Sequence, residues 1–315
     1  MLLIHLLPFA LLASAAPNPP TRPSTPPPKP QPPQHNDTPI KCPILFDGRI
    51  PKNLTLTSFD SAATSPFNPD YVKGENTTWS SILLLPSTPP SRFDSPRLYK
   101  PIEVTVDNRS LFRAGANLQT GFRRAGLLLK DDANDAGADA ADLGAVTFHW
   151  SMKWDAERRL NLSHEYMNVW HERADYGGNQ FSFVGGVVLV GDGGTGVDTK
   201  VEREKWRVQN FKDEFVFETG VSFREWQNFA VKLDYDKSTI QVFYSVGNAP
   251  LKAVSKALPN DNSGGGQLQL GIAKKPTETQ TVVYDGYQES IRLRGEGQIY
   301  GGVFVENSAG GCVSL

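Results

Sequence analysis

The sequence predicts an all-β fold, a two-sheet β-sandwich of jelly-roll type. Two-residue alternation recurs along the chain and is clearest at 226–235 (WQNFAVKLDY), where Gln227, Phe229, Val231, Leu233 and Tyr235 share one face. Such a period sets successive side chains on opposite sides of a pleated strand and turns one set toward a core. Glycine-rich turns at 191–196 and 263–266 punctuate the chain, and no segment sustains the 3.6-residue apolar period of a helix. Strands in series with short turns favour packed sheets over a helical or α/β architecture.

In chain order, strands are expected at Val146–Trp154, Tyr166–His171, Gln180–Val190, Trp226–Tyr235, Thr239–Val246, Gln267–Ile272 and Ile299–Glu306. Asp236, Lys237 and Ser238 make the turn that joins Trp226–Tyr235 to Thr239–Val246 as a hairpin. No internal repeat is visible. Trp150, Trp154, Tyr166, Trp170, Tyr176, Trp226 and Tyr244 lie on or beside these strands. For any one of these rings core packing is the commoner role, yet together they would suit a sheet that covers sugar faces.

The ends of the chain point outside the cell. Residues 1–16 (MLLIHLLPFALLASAA) are an apolar run ending in small residues and read as a signal peptide, too short to serve as a stop-transfer helix. Residues 17–40 form a proline-rich arm, with ten prolines between Pro17 and Gln34, and are expected to be extended and without regular structure. Residues 41–315 are long enough for one large β domain. Asn36, Asn53, Asn76, Asn108 and Asn161 each open an N-x-S/T sequon, as a secreted glycoprotein would use. Cys42 and Cys312, the two cysteines of the chain, are expected to pair in an oxidising compartment. A net charge of −2 without a basic cluster argues against nucleic acid or acidic lipid as a partner, and no later apolar run is long enough for a membrane helix.

Two stretches concentrate the ionisable groups, 119–126 (QTGFRRAG) and 160–166 (LNLSHEY). On a strand, Arg124 and Gly126 share a face because they are two apart, and Arg123 points to the other. The five histidines lack metal-ligand spacing, and neither a nucleophile elbow nor a phosphate-cradling loop is present, so neither cofactor nor catalytic metal is expected. Asp192 and Asp198 are loop carboxylates of the type that binds structural calcium, without a recognisable ligand loop around them.

The segments CPILFDGRIP (42–51), SPFNPDYVKG (65–74), QTGFRRA (119–125), LNLSHEY (160–166), WQNFAVKLDYD (226–236), DGYQES (285–290) and IYGGVFVENS (299–308) resemble, in the same order, those of glycoside hydrolase family 131, secreted fungal β-glucanases. The resemblance implies a jelly roll with an open groove, acting on β-1,3-, β-1,6- or β-1,4-glucan of cell walls, and the protein is expected to be a monomer. It also implies a catalytic pair of glutamates, one in HEY and one directly after FRRA. Glu165 matches the first position, while the second holds Gly126, which can neither donate a proton nor attack carbon. Gln227 stands where many relatives carry His. Arg124, Gln119, His164, Tyr166 and Gln227 are the expected sugar-binding side chains. Glu103 is the best substitute carboxylate, whereas Glu172, seven residues beyond Glu165, is expected on the opposite face of that strand. Three readings follow: a β-glucan hydrolase with a replaced acid, a glucan-binding relative that has lost its chemistry at Gly126, and a structural wall protein without a groove ligand.

Overall fold

The alternation at 226–235 becomes a strand, Gln227–Asp234, that pairs antiparallel with Thr239–Val246 in the expected hairpin, with Asp234 opposite Thr239. The structure, a computed structural model, describes residues 40–70, 72–190 and 194–315. The leader, all but the last residue of the proline-rich arm, Asn36 and Asp192 lie outside the described residues.

Two large antiparallel sheets form the molecule. Six strands build the smaller one: β1 (Arg123–Leu128), β2 (Glu165–Glu172), β3 (Asn179–Gly186), β4 (Lys205–Asn210), β5 (Phe215–Gly220) and β6 (Gln267–Lys274). Their spatial order is β5-β4-β3-β2-β6-β1. The larger sheet has nine strands, centred on Ala145–Lys153, which lies between Gln227–Asp234 and the long strand Glu296–Asn307. Helical structure among the described residues is confined to single turns such as Trp79–Ile82 and Lys200–Arg203.

Facing side chains of the two sheets close the core. Trp150 and Phe229 of the nine-stranded sheet meet Phe181 and Phe183 of β3, with Phe229 and Phe183 ring centroids 4.6 Å apart. Such large, interlocked apolar surfaces are the main source of stability in a sandwich. The second face of Gln227–Asp234 is covered too, since Ala230 packs with Phe93, Phe243, Leu251 and Phe304 in a separate cluster.

Cys42 and Cys312 form the disulfide, with Cα atoms 5.9 Å apart and a sequence separation of 270. Beside it, the Lys41 and Cys42 amides donate to Ser314 Oγ, and Ser314 Oγ donates to the buried Glu306 carboxylate, which also meets His149.

Candidate functional site

In β1, Ala125 and Leu127 enter the core, so Arg124 and Gly126 point to the outer face of the six-stranded sheet. Tyr166 and Val169 enter it from β2, leaving Glu165 and Trp170 outside. The same alternation puts Gln269 and Gly271 of β6 and Arg207 and Gln209 of β4 on that outer face.

Glu165 is 2% exposed and fully engaged. Its Oε1 lies 2.5 Å from Lys275 Nζ, and its Oε2 accepts the Leu189 amide at 2.7 Å. Four residues along β6, about 13 Å at strand spacing, separate the level of Glu165, whose carbonyl accepts the Lys275 amide, from Gly271, the partner of Gly126. A β-carbon on Gly126 would lie 3.4 Å from the Trp170 ring and 3.3 Å from Gln269 Oε1, so the indole occupies the space above the glycine.

Around that indole a polar cluster is assembled. The Arg124 guanidinium carbon sits 5.2 Å from the Phe112 ring centroid and 5.5 Å from that of Trp170. Arg124 donates to Gln269 Oε1 at 3.0 Å and lies 3.6 Å from the Glu172 carboxylate, which also accepts from Gln269 Nε2. Glu172 therefore shares the outer face with Arg124, contrary to the expectation of opposite faces. Register shifts at Met167/Val169 and His171/Glu172 break the alternation of β2 and bring the carboxylate round.

A further carboxylate, missed from the sequence, belongs to the turn between β4 and β5. Asp213 has a positive φ of 60°, and its carbonyl accepts from Gln209 Nε2 of the outer face. Its side chain reaches solvent, yet desolvation raises its pKa, with the Lys275 charge opposing and the Glu165 charge adding to the rise. The pattern NFKDEF carries no signal of this placement, because only the curl of the turn creates it.

Several expected site residues lie elsewhere. Tyr166 is buried in the core, donating to Glu296 Oε2 at 2.7 Å and accepting the Asn161 amide, and burial lifts its pKa well above the ordinary value. His164 is also buried, with Nδ1 2.8 Å from the Lys275 carbonyl and Nε2 2.7 Å from Glu289; burial, followed by the Lys274 charge, lowers its pKa. Gln227 lies on the core-facing side of the nine-stranded sheet, satisfied by the Ser222 amide, the Gly220 carbonyl and Tyr244 Oη. Glu103 belongs to that sheet as well, on the side away from the core residues Ile102 and Val104. It meets Arg158 at 2.8 Å, and burial raises its pKa to about 7. The geometry thus does not bring Glu103 to Glu165. Gln119 sits half-buried on the ribbon opposite Phe112, next to the Arg124 cluster.

Four of the strand aromatics take the packing role expected of such rings singly and floor no open groove. Trp150, Tyr166, Trp170 and Trp226 are all buried. Asp198 pairs with Arg203, and among the described residues no three His, Cys, Asp or Glu side chains assemble as a metal site. No helix among them is long and apolar enough to cross a membrane.

Comparison with known proteins agrees with this layout. Residues 44–311 match the family profile described as the glycoside hydrolase 131 catalytic N-terminal domain. Among solved structures, the catalytic domain of a family 131 β-glucanase from Podospora anserina superposes with a TM-score of 0.62 at 18% identity, covering 84% of this chain and 96% of that one. The catalytic domain of the family 131 protein from Coprinopsis cinerea gives 0.61 at 18% identity, covering 85% and 95%. At that identity the likeness establishes the jelly-roll sandwich. No curated protein sequence matches the chain significantly.

Proposed function

Since the chain belongs to glycoside hydrolase family 131, we propose that it is an exported protein that holds β-glucan of cell walls along the outer face of its six-stranded sheet, with hydrolysis lost at Gly126. The family membership supports the glucan, and the apolar leader, the sequons and the disulfide support export. One observation carries the loss of chemistry: the space above Gly126 is filled by Trp170, and the outer-face carboxylate of Glu172 is engaged by Arg124 and Gln269. Glycoside hydrolysis by either stereochemical route asks for two carboxyl groups. Arg124 and Lys275, each partly exposed, are the candidate donors for sugar hydroxyls.

A second reading, residual hydrolysis, is favoured by Asp213. Desolvation, with the Glu165 charge adding to it, raises the Asp213 pKa, and a second carboxyl within electrostatic reach of Glu165 is what glycoside hydrolysis asks for.

Sugar release from β-1,3-, β-1,6- and β-1,4-glucan, measured beside retention on the insoluble polymers, separates the two. Retention without release is the expected result. Release that disappears in both Glu165→Gln and Asp213→Asn would establish the second reading, and neither retention nor release would remove glucan from the account.

A further inference from the structure

Among the described residues the exposed aromatic rings are Tyr176, Phe215, Phe223, Tyr284 and Tyr287, and two of them share one loop. Tyr284 is 49% exposed and Tyr287 is 54% exposed, both within the 276–290 segment that follows β6. Half-exposed tyrosines are ordinary on a mobile surface, but this segment is tied down at every turn. The Asp285 carboxylate accepts from Thr279 Oγ1 at 2.7 Å and from the Gln280 and Thr281 amides. Thr277 and Tyr287 exchange backbone hydrogen bonds. Thr120 Oγ1 donates to the Tyr284 carbonyl, and the Gly121 amide donates to the Val283 carbonyl at 2.9 Å. Gly121 is required there, because a β-carbon would meet Val282 O at 2.2 Å. Gln288 Nε2 adds bonds to the Gly121 and Lys274 carbonyls.

A chain of contacts leads from this loop to Glu165. The Tyr287 ring stacks on His164, with centroids 6.5 Å apart and planes 25° apart. His164 Nδ1 is bonded to the Lys275 carbonyl, and Lys275 Nζ holds Glu165. The Tyr287 ring therefore lies beside the Lys275 edge of the outer face, and Tyr284 precedes it by three residues in the same hydrogen-bonded backbone.

We propose that Tyr284 and Tyr287 form a platform on which glucose residues of a β-glucan chain stack as it leaves the outer face past Glu165 and Lys275. The inference rests on the glucan reading above and adds where the chain runs. β-Linked glucose carries its hydroxyls around the ring edge and C–H groups on the faces, so a flat ring that ends in a hydroxyl matches both surfaces. Two half-exposed tyrosines whose backbone is held rigid bind at a low entropic cost, as preorganised sites do. The depressed pKa of Asp285, about 2, held first by the Thr279 hydroxyl, keeps these ties in place over the whole ordinary pH range.

The test is retention of the purified full chain on insoluble β-1,3-, β-1,6- and β-1,4-glucan, compared with Tyr284→Ala/Tyr287→Ala, Tyr284→Trp/Tyr287→Trp and Tyr176→Ala. Tyr176 is exposed and lies on the turn between β2 and β3, so it controls for loss of any surface ring. The double alanine variant should lose about tenfold in affinity, as two stacking contacts imply. The tryptophan variant and Tyr176→Ala should bind as the parent does, and unchanged thermal unfolding of all variants shows that the fold is intact. A parent that binds while the double alanine variant binds equally well overturns the platform and leaves the glucan reading standing. A parent that binds none of the glucans overturns both.

Discussion

Lys275 Nζ approaches Glu165 Oε1 to 2.5 Å, and among the described residues the carboxylate has otherwise only the Leu189 amide as a partner. Glu165 is nearly sealed from water, 2% exposed. Lys275→Met should destabilise the fold by about 1–3 kcal/mol, because it strands a carboxylate with one donor. Adding Glu165→Gln to Lys275→Met should recover most of the loss. Denaturant midpoints of the two single variants and the double variant check this, since a pair that does not couple would give additive changes.

Placing an acid at the glycine is the complementary experiment. Gly126→Glu should cost about 1–2 kcal/mol, because its Cβ presses on Trp170 and Gln269. If chemistry was lost at this position, the variant should release sugar about 10²-fold faster than the parent, within the range of one general acid. Gly126→Ala fills the same space without a carboxyl and should gain nothing. Reducing-sugar assays on the three proteins decide it.

The order of these elements was readable because burial enforces alternation. Thr239–Val246 occurs where its β-branched and aromatic residues predicted, and Phe229, Val231 and Leu233 enter the core as their spacing required. What alternation could not convey was its interruption. The bulge after Met167 has no mark in MNVWHE, yet it moves Glu172 onto the face of Arg124. Gln227 and Tyr166, expected at the site from the family resemblance, have their polar groups satisfied by interior partners instead. The rings of Tyr284 and Tyr287 stand exposed because hydrogen bonds far apart in sequence fold their loop, and local pattern does not encode such ties.

Stability should peak in mildly acidic solution. Burial lifts Asp94 to about 6 and both Glu103 and Asp142 to about 7. A carboxyl whose folded pKa exceeds its unfolded value contributes fully below the unfolded value and loses that contribution as pH rises through the folded one. These three therefore weaken the fold between about pH 4 and pH 7. Asp285 and Glu289 act in the other direction. Hydrogen bonding from Thr279 holds Asp285 at about 2, and Lys274 and Asn161 hold Glu289 at about 2 against the opposing effect of burial. Their contribution is present above the unfolded values and disappears as pH falls toward 2. A tenfold change in proton affinity on folding is worth about 1.4 kcal/mol, and each kcal/mol moves the Tm of a large domain by about 2–4 °C. Tm should therefore drop by several degrees from about pH 5 to pH 8. Calorimetry across that range is the check, and a flat or rising Tm would contradict the assignment.

Glycan occupancy should differ among the sequons. Asn53 and Asn76 are exposed, and among the described residues their amides have no partner. The Asn108 amide donates to Ser290 Oγ while its oxygen accepts the Ile291 amide, and the Asn161 amide donates to Glu289 Oε1 while its oxygen accepts from Ser163. A sugar on either of these would wedge between groups the fold holds together. Glycopeptide mass spectrometry of the secreted protein should find Asn53 and Asn76 occupied and Asn108 and Asn161 largely bare.

The Cys42–Cys312 bond also determines how the domain responds to force. Tension applied to the segments before Cys42 and after Cys312 travels from one to the other through two sulfur atoms, so the 270 residues of separation between them carry none of the load. A protein caught between a growing wall and whatever grips its ends would stretch only outside the clasp. Its sheets, and the face that carries Glu165, would keep their shape until the disulfide itself was reduced.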